Sequence, residues 1–296
     1  MNDPAAVRTG DLIHSQTPGP ERWSGDPSHT DPVIALRGVS KVYGQGGKKP
    51  FVAIERVDLE VQGGRFVSVV GPSGCGKSTL VSLVSGLLPA SGGEVVLRGS
   101  RVAGVRTDVG FIFQRDALLP WRTVRENVAL PLRFRGVSVA AERERVGEWI
   151  ARVGLAPFAD NYPHQLSGGM RKRAQLAQSL VADPAVLLMD EPFSALDVQT
   201  RNLMENELLG LWGAAGKTVL FITHDLEEAI ALSDEIVVMT AGPGRIKARY
   251  PVGLPRPRNV MDIRFAPDFV ALYERAWADL RDEVTRSYER SLQATA

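Results

Sequence analysis

Short apolar runs and turn-forming glycines alternate along most of this 296-residue chain. From Val33 the pattern is strand-like, over Val33 to Leu36, Val57 to Val61 and Arg65 to Val70, with turn residues at Gly44 to Gly47 and at Gly63-Gly64. Beyond this β-rich entry the periods alternate. The pattern predicts a helix after Lys77, strands near Glu94 and Val109, helices from Val139 and Met170, a strand at Val186, a helix near Gln199, a strand at Thr218 and a helix after His224. Such alternation argues for an α/β fold with a mainly parallel sheet. The stretch from about Asp116 to Asn161 reads mostly helical, with Val139 to Val153 its clearest amphipathic segment, and is a candidate helical subdomain. Past Pro251 the chain turns Pro- and Arg-rich. Phe269, Val270, Tyr273, Trp277, Leu280 and Val284 then recur at helical intervals, predicting an amphipathic helix packed on its own domain.

Composition narrows the picture without deciding it. Residues up to about Asp31 are rich in Pro, Asp, Ser, Thr and Gly and read as a solvated, disordered tail. An apolar share of 44% allows a substantial core, and a formal net charge of +1 gives no broad basic surface, hence no general argument for nucleic-acid binding. The single cysteine, Cys75, excludes an intrachain disulfide and suits a reducing compartment. No sustained apolar stretch follows Met1, so no secretory signal is expected, and runs such as Phe66 to Val70 fall short of the roughly 18 residues that cross a bilayer.

Three segments carry chemistry. Gly71-Pro72-Ser73-Gly74-Cys75-Gly76-Lys77-Ser78 fits the phosphate-loop pattern between a strand and a helix, where backbone N–H groups and the helix's positive end converge on phosphate charge. Its glycines allow close backbone approach, Lys77 can reach β- and γ-phosphates, and the Ser78 hydroxyl can ligate Mg²⁺, with Thr79 following. Alone, this motif leaves kinase, GTPase, helicase and transporter ATPase open, though no Asn-Lys-x-Asp guanine reader is present. Val186 to Glu191 reads as a buried strand ending in two carboxylates; if the fold is the usual P-loop type they lie beside the phosphates, where Asp190 would hold Mg²⁺ and Glu191 would orient or deprotonate the attacking water. Leu166-Ser167-Gly168-Gly169-Met170, followed by a helical Arg171 to Ala182, makes a second anion-binding helix start, and one nucleotide does not need both within one chain. Cys75 sits near a helix N-terminus, an environment that can lower a thiol's pKa, though its simplest role is small-residue packing; alkylation is expected to block ATP turnover and ATP to protect.

In this order the segments resemble the ATP-binding-cassette ATPases, over roughly Val33 to Lys247. The resemblance implies a P-loop NTPase, with a RecA-like core of mainly parallel sheet, an antiparallel β subdomain and an inserted helical subdomain at about 116–182. A nucleotide-binding domain of 32–250 would follow a tail of 1–31 and precede a C-terminal extension of 251–296. It also implies that Ser167, Gly168 and Gly169 face the γ-phosphate held by a second copy, so that a head-to-tail dimer encloses two ATP molecules. Four more positions match by order and spacing: Tyr43 against adenine, Gln114 at Mg²⁺ and the attacking water, His224 at the γ-phosphate, and Asp197 in the Ser194-Ala195-Leu196-Asp197 segment linking the two active sites. Lys172 stands where many relatives carry Gln, a departure expected to alter surface chemistry more than catalysis.

A single cassette of this kind looks like the ATPase subunit of a bacterial importer, on the cytoplasmic face of the inner membrane. Its partners would be a transmembrane permease docked near Gln114 to Arg122 and, indirectly, an extracytoplasmic solute-binding protein. Leu118-Leu119-Pro120-Trp121, Gly242-Pro243-Gly244-Arg245-Ile246 and the aromatic C-terminal helix are similar to the nitrate, taurine and aliphatic-sulfonate importer group. Pyrimidine-type vitamin precursors stay open as solutes. The rival readings are a soluble cassette ATPase of DNA repair or translation, whose long coiled-coil, zinc-binding or second-cassette additions are missing here, and a small-molecule kinase, which would leave Leu166 to Met170 without a purpose.

Overall fold

The computed structural model describes residues 31–44, 50–115 and 117–295, so the expected tail lies outside the described residues but for Asp31, as does most of the Gly44 to Gly47 turn. β1 (Ile34–Tyr43) and β2 (Phe51–Val61) pair antiparallel and run longer than their apolar pattern suggests. Register shifts at Leu36/Val39, Val39/Lys41 and Lys41/Val42, with Gly38 and Arg56 at positive φ, slip the side-chain alternation and end the period-2 signal early. After β3 (Phe66–Val70) and α1 (Lys77–Val84), β4 (Gly92–Leu97) and β5 (Ser100–Arg101) complete a four-stranded sheet of order β2-β1-β4-β5.

The second sheet is the frame of the molecule. It adds β6 (Val109–Ile112), β7 (Val186–Asp190), β8 (Thr218–Thr223), β9 (Glu235–Met239) and β10 (Ile246–Pro251) to β3, in the order β10-β9-β3-β8-β7-β6. All its pairs are parallel except that of the edge strand β10 with β9. β3 and β8 are buried throughout, which is why they read as unbroken apolar runs instead of alternating ones. One face packs Val67, Val69, Leu188, Leu220 and Ile222 on α1 and the antiparallel sheet. The other face packs Phe66, Leu187, Met189 and Phe221 on α5 (Val198–Ala215), α6 (Leu226–Leu232) and the C-terminal helix.

Between β6 and β7 lie α2 (Val124–Phe134), α3 (Val139–Arg152) and α4 (Gly168–Leu180), which share an apolar cluster of their own around Val124, Val128, Leu132, Ile150, Leu166 and Ala177. α4 begins at Gly168, two residues before the expected start at Met170, because Ser167 caps it by accepting from Met170 N at 3.3 Å.

A short α7 (Val260–Ile263) precedes α8 (Pro267–Thr295). The stripe expected for α8 is corrected. Phe269 and Leu280 are buried, but the inward row continues through Leu272, Ala276 and Glu283, whereas Val270, Trp277 and Val284 are exposed. Hydropathy misses this row because it holds one small residue and one charged one.

Candidate functional site

Parallel pairing brings the C-terminal ends of β6, β3, β8 and β7 to one edge of the sheet, and each end releases a residue with chemistry: Gln114, the phosphate loop, His224, and the Asp190-Glu191 pair. In the loop, Gly76 stands at φ 101°, and a Cβ there would lie 2.8 Å from Ala53 O, so only glycine fits before α1. Lys77 Nζ donates to Gly71 O at 2.8 Å and to Pro72 O at 3.1 Å. Ser78 Oγ donates to Asp190 Oδ1 at 3.0 Å, and Tyr43 Oη meets Thr79 Oγ1 at 3.3 Å. Burial raises Asp190 above the usual carboxylate range, the Ser78 hydrogen bond opposes this, and the Glu191 charge adds to it.

Glu191 is the meeting point. Its Oε2 accepts from Gln114 Nε2 at 3.2 Å and lies 3.0 Å from His224 Nδ1, uniting residues 77 and 33 positions away in sequence. Its backbone sits in the left-handed region at φ 43°, held by Glu191 N donating to Ile222 O at 2.9 Å. For a non-glycine residue this conformation is strained by about 1–3 kcal/mol and concentrates at functional sites.

Three comparisons with known proteins bear on this geometry. A family profile described as ABC transporter matches residues 54–194. An ATP-binding protein of Brucella abortus biovar 1 (strain 9-941) is 45% identical over 246 residues, covering 83% of this chain and 92% of that one. The Taurine import ATP-binding protein TauB of Escherichia coli (strain K12) is 41% identical over 240 residues, covering 80% and 93%. This chain is a member of the ABC transporter family. It is an ATPase whose hydrolysis is coupled to transport, and its fold is that of the family's cassettes. The cassette MJ0796, solved as a dimer in a post-hydrolysis state bound to ADP and Pi, has a TM-score of 0.66 and 32% identity, over 74% of this chain and 98% of that chain.

In this ABC cassette the Ser167-Gly168-Gly169 helix start packs against the segment that follows β7. A Cβ on Gly169 would lie 2.8 Å from Thr200 Cγ2, and one on Gly168 3.5 Å from Leu196 Cδ2. Asp197 caps α5, its Oδ1 accepting from Thr200 N at 3.0 Å, and that hydrogen bond lowers its carboxyl below the usual range. Hydrogen bonds within one chain link Ser78 to Asp190, Tyr43 to Thr79 and Gln114 and His224 to Glu191, and among the described residues none joins Ser167 to Gly169 or Asp197 to the phosphate loop.

Two expectations about side chains of the ABC cassette are corrected. Lys172 is not a surface residue: it is 3% exposed, and its Nζ donates to Gln114 O at 3.1 Å, tying α4 to the loop behind Gln114. Cys75 is buried as well, packed among the core residues around α1, and burial, the largest influence, pushes its thiol up despite the Lys77 charge, opposite to the lowering expected near a helix start.

Asn127 was missed by sequence reading. Fully buried on α2, it accepts from Leu119 N at 2.7 Å and donates to the carbonyls of Leu119, Arg122 and Thr123 at 3.0–3.1 Å, fixing the loop that exposes Trp121. The available signal was the Thr123-x-x-Glu126 capping box, which the structure forms and which marks where this loop ends.

Proposed function

We propose that this cassette binds ATP between two copies of itself, hydrolyses it with Glu191 as general base, and drives import of a small anionic solute of the taurine, alkanesulfonate or nitrate kind. The single observation that carries the catalytic reading is Glu191 Oε2 bracketed by Gln114 and His224 beside the Ser78–Asp190 pair.

ATP enters with its adenine against Tyr43 and its phosphates on the backbone N–H groups of residues 71–79. Lys77 Nζ then exchanges two carbonyl acceptors for β- and γ-phosphate oxygens. The hard oxygen donors of Ser78, Asp190 and Gln114 fit Mg²⁺, which would neutralise phosphate charge when bound. Gln114 and His224 hold the Glu191 carboxylate, which accepts a proton from the attacking water. With His224 Nδ1 turned to Glu191, Nε2 is the nitrogen left for the γ-phosphate.

The second helix start, Ser167 to Gly169, completes the site from the other copy, and Asp197 lies at the join between the two sites. Closure creates γ-phosphate contacts that neither copy makes alone, so ATP favours the closed pair. The loop of Leu119 to Arg122, carrying Trp121, passes this motion to a permease at the cytoplasmic face of the membrane. No helix among the described residues is long and apolar enough to cross a bilayer, which fits a separate permease. In domain terms, 32–250 is the nucleotide-binding domain with 116–182 inserted, and 251–296 is an extension. The identity to TauB supports import of a sulfonate.

Replacing Glu191 with Gln keeps the shape and removes the base, so ATP should still bind while steady-state phosphate release falls by about 10²- to 10⁴-fold. Wild-type phosphate release from Glu191→Gln would refute the assignment. For the solute, a strain lacking this gene should fail to grow on taurine or an alkanesulfonate as sole sulfur source, or on nitrate as sole nitrogen source, and grow normally on sulfate and ammonium.

A further inference from the structure

Two buried glutamates lie behind the turn that carries His224. Glu205 on α5 is 0% exposed and Glu228 on α6 is 4% exposed. Glu228 Oε2 accepts a short hydrogen bond from Thr223 Oγ1, and that hydroxyl accepts in turn from Asp225 N at 3.0 Å. Thr223 and Asp225 flank His224. One hydroxyl anchored on Glu228 therefore fixes the backbone on both sides of the histidine.

The other oxygens of the pair have no donor: Glu205 Oε1, Glu205 Oε2 and Glu228 Oε1 are all buried without a hydrogen-bond partner. Yet each carboxyl lies close enough to influence the protonation of the other. Two carboxylates cannot bond each other, and both ionised in a dry interior they repel and lose hydration. A single proton on Glu228 Oε1 would supply the pair with a donor where it now has only acceptors. Burial pushes both groups well up from the ordinary glutamate range, and the charge of Glu205 adds to the rise at Glu228.

The charged groups around the pair come from every packed element. Arg201 on α5 donates to Asp225 at 3.4 Å, and Arg264, just past α7, lies 3.7 Å from Glu205 and 3.4 Å from Glu227 on α6. Asp225 raises both glutamates, while Arg201 opposes the rise at both and Arg264 at Glu205. From α8, Tyr273 and Trp277 line the same side, next to His224.

We propose that Glu205 and Glu228 share one proton and together act as a positioning pair for His224, through the Thr223 hydroxyl. This rests on the reading of His224 as the partner of Glu191 and the γ-phosphate. The pair does not touch nucleotide. It sets where the imidazole stands.

The test is steady-state ATP turnover of the full chain from pH 6 to pH 9. Glu228→Leu removes both hydrogen bonds, and should lower kcat by about tenfold or more with KM for ATP changed less than about twofold. Glu228→Gln offers a permanent N–H to Glu205 and an oxygen to Thr223. It should recover kcat to within about threefold of wild type and lose the alkaline fall that wild type shows as the pair gives up its proton. Equal loss in the Gln and Leu variants, or wild-type kcat in Glu228→Leu, overturns the proposal. His224→Ala run alongside separates the two readings: wild-type turnover there removes the role of His224 itself. If Glu228→Leu does not fold, ¹³C NMR of the glutamate carboxyl carbons in the wild-type chain decides. Two carboxyls titrating above the ordinary range are expected, and a uniformly ordinary set overturns the shared proton.

Discussion

Cys75 lies within the phosphate loop and is nonetheless 1% exposed, its side chain turned into the cluster that packs α1 on the sheet. Two influences compete at its thiol, the Lys77 charge that favours thiolate and the burial that disfavours it, and burial wins. Iodoacetamide at pH 8 should therefore modify the folded chain at least about tenfold more slowly than the urea-unfolded chain, as followed by mass spectrometry. Equal rates would show that the loop opens enough to expose the thiol. Lys172 makes the same point about position, since the residue type suggests surface and the place on α4 makes it a buried donor to Gln114 O.

At the scale of elements, the loop between β6 and α2 depends on one amide. Asn127→Ala would leave Leu119 N and the Arg122 carbonyl without their partner, while Leu119 O keeps Arg122 N and Thr123 O keeps the backbone N–H of residue 127, a loss of about 1–3 kcal/mol of stability. Because that loop presents Trp121, solute uptake should fall more than ATP hydrolysis, measured side by side with the permease present. Parallel reduction of both would place the damage in the site instead. α8 depends on a carboxylate. Burial raises Glu283, but the hydrogen bond from Ala241 N at 2.9 Å and the Lys247 ammonium at 3.1 Å outweigh it and leave the group below its usual range. A depressed acid stabilises the fold above its unfolded pKa of about 4.5 and loses that contribution as pH falls below it. Amide exchange of α8, corrected for intrinsic rates, should thus accelerate relative to β3 on going from pH 6 to pH 4, and Glu283→Gln should flatten that difference.

These elements also show what a sequence exposes. β3, β7 and β8 were legible because covered faces demand unbroken apolar runs, and the residues at their ends were legible through the phosphate-loop pattern and the order and spacing shared with the family. The bulged β1 and β2 were read short, and β9 and β10 were not read as strands. Asn127, Thr223 and Glu228 stayed hidden since each works through partners that only the fold supplies: loop backbone, a neighbouring hydroxyl, a second buried carboxyl.

For the whole molecule, the decisive fact is a mismatch in number. The cassette carries two helix starts suited to phosphate, at Lys77 and at Gly168, and one of them is capped by Ser167 beside Leu196 and Thr200, with no hydrogen bond to the phosphate loop among the described residues. If a second copy brings its own Ser167-Gly168-Gly169 to the γ-phosphate, then ATP is part of the dimer interface, and blocking hydrolysis must trap the dimer. Light scattering should show Glu191→Gln as a monomer without nucleotide and a dimer with ATP. Adding Ser167→Arg to the same chain puts a long side chain where that phosphate would sit. The double variant should still bind a fluorescent ATP analogue with Kd within about threefold, because the phosphate loop is untouched, yet remain monomeric at the same ATP concentration. The arginine leaves the cap position on the outside of α4, where no core packing is lost. A double variant that dimerises as readily as Glu191→Gln would mean the second helix start lies outside the interface, and the two-copy site would have to be abandoned while the single-chain cluster of Gln114, Glu191 and His224 stood.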